Sequence, residues 1–383
     1  MINTPQYKVN LYLNGTLIGD CRKLAQKLTY TRRRTKVGAD SIDFTLNDVL
    51  FSKWCNDHNT DIGTILKPMA LECRVLRNST EVVGGFLATM PSYSPLHSSA
   101  NLDLKFDGFL NLLDGFYIRN TSTNLPYGTV TGAAHTVIQN LITMANNRSS
   151  TAGKSFGLTV DHSDTLASIT NTFDNYKTLK EWICERCDNI SGAGPFDLYF
   201  HADKTYDIYA DSNFGDVITD WVAFYPTLLN APSITSIKAS EKEDFASAVI
   251  GLGAGEISSN ANENTVLFRF SENSSAVSEF GYKETLYQDS SISTASVLEY
   301  NMGSQLALQS DPIWQPQIVL HGRHVSPMPS GDKKIWIGDT ITINNSSDLT
   351  GMTNGQFRVN ELKVEISAAG DETITPVLER VSV

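Results

Sequence analysis

The chain has 383 residues, enough for two or three domains of ordinary size. Hydrophobic residues make up 41% and charged residues 19%, which supplies packed cores and excludes a largely disordered chain. Lys and Arg number 30 against 42 Asp and Glu, a formal net charge of −12 that argues against a protein whose whole face grips nucleic acid or anionic lipid.

The opening, MINTPQYKVNLYLNG, lacks the cationic stretch, apolar core and small-residue site of a cleaved leader. No run of about 18 apolar residues occurs, so a soluble protein without a membrane anchor, made in a cytoplasm, is expected. Cys21, Cys55, Cys73, Cys184 and Cys187 are odd in number and scattered, which reads as small buried hydrophobes in a reducing compartment.

The first third reads as strands. Tyr7 to Leu13 alternates, turns at Asn14-Gly15 and resumes at Thr16. Leu28 to Val37 alternates, Gly38-Ala39-Asp40 reverses the chain, and Ile42, Phe44 and Leu46 share a face on the return. Leu71 to Leu76 and Glu81 to Thr89 form a second hairpin about Arg77 to Thr80, and Leu102, Leu104 and Phe106 alternate again. The period then changes. Ala134, Val137, Ile138, Leu141, Ile142 and Ala145 predict an amphipathic helix, and Tyr176 to Asn189 a second one capped by Asp174 or Asn175 and ended by Gly192 to Pro195. Phe196 to His201 and Thr205 to Tyr209 form a hairpin. Strands return at Ser233 to Ala239, Ala246 to Leu252 and Thr265 to Phe270, with a loop at Ser258 to Asn264. A helix is expected over 292–309 despite Gly303, followed by strands at Gln317 to His321, Ile335 to Ile343, Gly355 to Ile366 and Glu372 to Leu378. The fold class expected is β-rich α+β.

Motifs for chemistry are incomplete. Gly251-x-Gly253-x-Gly255 follows a strand but leads into a polar loop where a dinucleotide site needs a helix, so close backbone packing is the better reading. Cys184-x-x-Cys187 lacks two further ligands for zinc and sits near a helix end, where no dipole activates a thiol. On a strand, His321 and His324 face opposite sides, and His135, His162 and His201 are isolated in sequence. Neither Gly-x-Ser-x-Gly, HExxH nor a phosphate-binding Gly-rich loop is found. No cofactor, metal or catalytic residue is therefore assigned.

Arg32-Arg33-Arg34 is the concentrated basic run. On a strand Arg32 and Arg34 share one face and Arg33 the other, an arrangement hard to bury within one domain. It is read either as solvent-exposed or as pairing with carboxylates across a subunit interface, to which the forked guanidinium is suited.

The order of segments resembles that of baseplate hub proteins at the tail tip of tailed bacteriophages, the hub domain also found at the start of tail-associated lysins. The residues that carry the resemblance are the hairpin Leu28 to Leu46 with Asn47 to Phe51 and Trp54, Leu66-Lys67-Pro68, Gly84-Gly85-Phe86, and Pro91 to Ser94. Asp174 to Trp182, Asp220-Trp221, Ala246 to Gly253, Ile337 to Ile343 and Phe357 to Asn360 continue it. The resemblance implies two β-barrel tube domains with α+β insertions, in a ring-shaped trimer. On that reading residues 1–125 form the first tube domain, completed by 205–232, and 126–204 an α+β domain. Residues 233–275 and 315–383 form the second tube domain, and 276–314 a helical insertion. The implied partners are two further copies of the chain, a distal tail or tail tube protein, a tape-measure protein, and receptor-binding or fibre proteins. DNA is met only in transit. The chain ends soon after the last strands, so a hub without a lysin domain is expected, located at the virion tail tip. A tail-tip cell-wall hydrolase and a glycan-binding module using Trp314, Trp336 and Tyr300 are the competing readings.

Overall fold

The computed structural model describes residues 5–91, 101–120, 122–151, 155–173, 176–187, 195–225, 234–240, 245–256, 265–290, 292–310, 315–346 and 354–381. The chain divides into two compact units, Met1–Ile237 with Gln317–Val383, and Lys238–Pro316.

In the first unit the strands are β1 (Tyr7–Leu13), β2 (Thr16–Asp20), β3 (Ala25–Arg33), β4 (Ser41–Asn47), β5 (Leu71–Arg77), β6 (Thr80–Leu87) and β7 (Asn101–Gly108). The β1–β2 and β5–β6 reversals are two-residue turns with positive φ at both positions, Asn14 49° and Gly15 80°, Asn78 49° and Ser79 70°. These are the geometries that match strand twist, which is why local sequence announces them. Helix α1 (Asp48–Asp57) follows β4 directly, capped by the Asn47 side chain accepting from the Leu50 amide, with Phe51 and Cys55 on its buried side; α2 (Ile62–Ile65) is a single turn.

The middle of the chain contributes β8 (Gly128–Ala133), α3 (Ala134–Thr151), β9 (Thr159–Ser163), β10 (Ser168–Phe173), α4 (Leu179–Arg186), β11 (Phe196–Phe200), β12 (Thr205–Ala210) and β13 (Ala223–Tyr225). Strands β8 and β10 form one antiparallel pair, and β11, β12 and β9 a three-stranded sheet with β9 parallel to β12. Phe109 to Ile118, the buried faces of α3 and α4, and Leu198, Phe200, Tyr206 and Ile208 make a core of their own. Helix α4 starts later than the sequence suggests. Its cap is Thr178, whose hydroxyl accepts from the Glu181 amide while the Glu181 carboxylate accepts from the Thr178 amide. Residues 174, 175 and 192–194 lie outside the described residues.

The second unit holds β15 (Ala248–Leu252), β16 (Phe268–Glu272), α5 (Ser274–Phe280), β17 (Glu284–Gln288) and α6 (Ala295–Gln309), after β14 (Ile234–Ser240). Strand β15 lies between antiparallel β16 and parallel β17, and Val249, Ile292, Leu298, Met302 and Leu306 form its core. The expected loop at 258–264 lies outside the described residues.

The first unit closes with β18 (Gln315–His321), β19 (Thr340–Asn345), β20 (Gly355–Ile366) and β21 (Glu372–Arg380). The strand expected over 335–343 begins only at Thr340. Gly338 has φ 86°, and the buried Asp339 carboxylate accepts from the Trp336 amide at 2.9 Å, so the preceding residues are a turn.

One large sheet runs β14-β18-β21-β20-β3-β4-β7-β6-β5-β1-β2, with β19 and β13 branching from β20. Strand pairing from both ends of the chain therefore meets at β3–β20. No closed barrel forms among the described residues. The sheet nevertheless rolls on itself, because buried Glu372 on β21 accepts from Arg77 of β5 at 2.6 and 3.0 Å and from the Tyr7 hydroxyl of β1.

Candidate functional site

The three arginines lie at the end of β3 and just beyond it. Their alternation is as the sequence predicts, but their destination is not: Arg32 is 1% and Arg34 4% exposed, on the same face as the core residues Leu28 and Tyr30. The expectation of solvent exposure is thus corrected for both. A chain can bury this charge because it supplies the carboxylates itself.

Arg32 pairs with buried Asp40 at 2.8 Å, donates to the Phe200 carbonyl at 3.0 Å, and stacks over the Tyr199 ring with 4.5 Å to its centroid. Arg34 donates twice to Asp197 Oδ2, at 3.1 and 2.5 Å, and to Asn360 at 3.2 Å, and also pairs with Asp211. Asp211 is shared with Arg358 at 2.7 Å, whose other nitrogens donate to the carbonyls of Asp211, Phe214 and Gly338. Directly after Arg34, Thr35 exchanges hydrogen bonds with the backbone of Leu198, 3.0 and 2.7 Å. Arg33 alone faces outward, 25% exposed, and meets Glu361 at 2.7 Å; Lys36 meets Glu379 at 2.6 Å.

Electrostatics of the cluster follow from this burial. Desolvation pushes the Asp40 and Asp197 carboxyls up, only partly opposed by Arg32 and Arg34 respectively. Burial also raises Asp211, but Arg34 and Arg358 together outweigh it and hold the carboxyl below its usual range. Arg32, Arg33, Arg34, Lys36 and Arg358 face Asp40, Glu361, Asp197, Asp211 and Glu379, five cations to five carboxylates. A neutral set of this kind has no spare charge to offer a phosphate.

Structurally the set is a clamp. Asp197, Leu198, Phe200 and Asp211 belong to the β11–β12 hairpin and its flank, whereas Arg32, Arg34, Arg358 and Asn360 belong to the large sheet. A second contact reinforces it where the β11–β12 turn crosses β6: a Cβ on Gly84 would lie 2.5 Å from the Ala202 carbonyl oxygen, and Lys204 reaches Glu72 of β5 at 2.5 Å. A cleft of about 440 Å³ beside the arm is lined by Arg33, Lys36, Asp40, Asp107, Asn111 and Lys180, and its lysines and arginine are already engaged by Glu379, Asp114 and Glu361.

The remaining sequence motifs resolve as packing. A Cβ on Gly251 would meet Met302 Sδ at 2.0 Å, and Gly253 and Gly255 approach the Ile292 and Thr265 carbonyls at 2.5 and 2.4 Å by the same measure. Cys187 is buried, and Cys184 is half-buried with its thiol pushed up by burial. Trp336 is buried and Tyr300 exposed on α6, while Trp314 lies outside the described residues. His201 and His162 are not isolated, however; both contact the buried Asp207, through the His201 ring at 2.8 Å and the His162 amide at 3.0 Å. The signal was not local, since 45 residues separate His162 from Asp207.

The rolled, branched sheet with a clamped α+β lobe defines a β-rich fold that is found in bacteriophage tail proteins. The chain superposes on the 43 kDa tail protein of prophage MuSo2 from Shewanella oneidensis with a TM-score of 0.62 and 12% identity, over 98% of each chain. A tail protein from Neisseria meningitidis MC58 gives 0.62 and 13% over 97% of this chain and 96% of that one. Prophage tail protein gp18 from Listeria monocytogenes EGD-e gives 0.53 and 11% over 98% and 95%. No protein-family model and no curated protein matches the sequence.

Proposed function

We propose that the protein is a structural component of a bacteriophage tail, a baseplate hub at the distal end of the tail tube. What supports this reading is coverage: likeness to tail proteins extends over at least 95% of both chains in these three comparisons, so it is not confined to one part of the chain. Three copies form a ring around a channel, with residues 1–125 and 205–232 as one tube domain and 233–275 with 315–383 as the other. Residues 126–204 form an α+β domain and 276–314 a helical insertion. The rolled sheet, held by Arg77 and Glu372, suits a tube wall. The ring joins a tail tube or distal tail protein, receives the tape-measure protein, anchors receptor-binding or fibre proteins, and lets DNA pass on host contact. A net charge of −12 suits a channel that passes DNA without holding it. The role is structural, without hydrolysis of cell wall.

Of the arginines, Arg33 retains the solvent-facing surface needed to reach a neighbouring subunit, and Arg32 and Arg34 hold the arm that presents it. The reading is tested by light-scattering mass together with electron-microscope class averages of the same fraction. Three chains in a ring with a central hole are expected. A monomer that also fails to bind tube protein contradicts the hub role.

A further inference from the structure

We propose that the α+β lobe carries a divalent transition-metal site formed by Asp161, His201 and Asp207. One ligand atom of each lies within 4.8 Å of the others, and the three come from β9, the end of β11 and β12, the three strands of one sheet. The placement depends on an irregularity. In the parallel β12–β9 pair Tyr206 faces Val160 but Asp207 faces His162, so Asp161 is the extra, unopposed residue of a bulge. Bulges re-aim side chains, and this one turns an exposed carboxylate toward a buried one.

Three observations bear on ion binding by the cluster. First, His201 Nε2 and Asp207 Oδ2 are 2.8 Å apart, a hydrogen-bond distance from which a shift of about 0.6 Å reaches the ~3.4 Å between two tetrahedral ligand atoms bound at ~2.1 Å. Placing the neutral imidazole proton on Nδ1 leaves Nε2 free to ligate, with no net proton lost. Second, Asp207 is already oriented as a ligating carboxylate is: Oδ2 accepts from the Tyr209 hydroxyl at 2.8 Å and Oδ1 from the His162 amide at 3.0 Å. Third, among the described residues the side chains that pair with these carboxylates as bases are histidines. Asp161, Asp164 and Asp207 form no ion pair with Lys or Arg among the described residues, and the Asp161 carboxylate accepts no hydrogen bond there, whereas the neighbouring clamp is neutral.

Two carboxylates and one imidazole, without thiolate, favour Zn²⁺ or Mn²⁺; Ca²⁺ asks for six or more oxygens. Water completes the coordination on the exposed Asp161 side. The ion would tie together three strands of the lobe that the arginine clamp holds to the large sheet.

The test uses the full chain freed of metal with EDTA and titrated calorimetrically with ZnCl₂ and with MnCl₂, alongside thermal melts. One Zn²⁺ per chain with a raised melting temperature is expected. Asp161→Asn and His201→Ala should each weaken binding by at least about tenfold. Asp161 is exposed, so its variant keeps the fold and the test stays decisive even if His201→Ala does not. The variant pair His321→Ala and His324→Ala should bind as the parent does. Absence of stoichiometric binding, or one ion bound with unchanged affinity in Asp161→Asn, overturns the site.

Discussion

Arg34 shows how a charge becomes part of a core. Its guanidinium touches Asp197, Asp211 and Asn360, and removing it leaves the Asp197 carboxyl buried with the Thr35 amide as its remaining donor. Loss of one member of a buried pair typically costs about 3–5 kcal/mol. Arg34→Ser is therefore expected to lower unfolding stability by about that amount in urea melts, and Arg34→Lys to recover only part, because a compact ammonium lacks the planar, spread donors with which Nε, Nη1 and Nη2 reach Asp197, Asn360 and Asp211. Asp211 gives the pH dependence its sign. Its folded pKa lies below the unfolded value of about 3.9, so its contribution is complete above that value and is lost as the pH falls through the lower folded one. Asp211→Asn should accordingly be less stable than the parent at neutral pH, with a gap that narrows below about pH 4; a gap constant down to strong acid would contradict the pairing. Asp40 and Asp197 act oppositely. Their raised values favour the protonated fold at low pH and do not add to acid lability.

Elements differ in how far their own residues specify them. The β1–β2 and β5–β6 hairpins were legible because their turns are two-residue signals, and α3 because its apolar residues repeat at three and four. Helix α1 was missed although Asn47, Phe51 and Cys55 mark a cap and a buried face, because the strand alternation of β4 runs straight into it. Helix α4 depends on a reciprocal cap in only eight residues. Thr178→Ala should cost about 1 kcal/mol, measured on the full chain and reported by the near-ultraviolet signal of buried Trp182. Between elements, Gly84 sets how closely the lobe rests on β6. Gly84→Val pushes against backbone at Ala202, which cannot move aside as a flexible side chain could, and should destabilise by about 1–3 kcal/mol and loosen the lobe to proteolysis.

At the scale of the whole molecule, the outward and inward parts of the arginine run separate into different measurements. On the proposed ring assembly, Arg33→Ser should leave the monomer's stability in urea within about 0.5 kcal/mol of the parent, as for other partly exposed pairs, while lowering the fraction of ring in light scattering. Equal assembly in parent and variant would remove Arg33 from the subunit contact. The sequence by itself determined the β1–β2, β3–β4, β5–β6 and β11–β12 hairpins, helix α3, the strict alternation of Arg32, Arg33 and Arg34, and the close packing at Gly251, Gly253 and Gly255, but not α1 or the strands β8, β9, β10 and β17. The features it determined are written in period, turn chemistry or single residues, over spans of a few positions. Only the tertiary structure decided which face of the arm is buried, since Arg34 finds Asp197 163 residues away and Asp211 177 residues away. It also decided that the sheet rolls until Arg77 meets Glu372, and that a bulge gathers Asp161, His201 and Asp207. Partners so distant share no periodic signature, and the desolvation that makes their pairing matter exists only once the chain has closed around them.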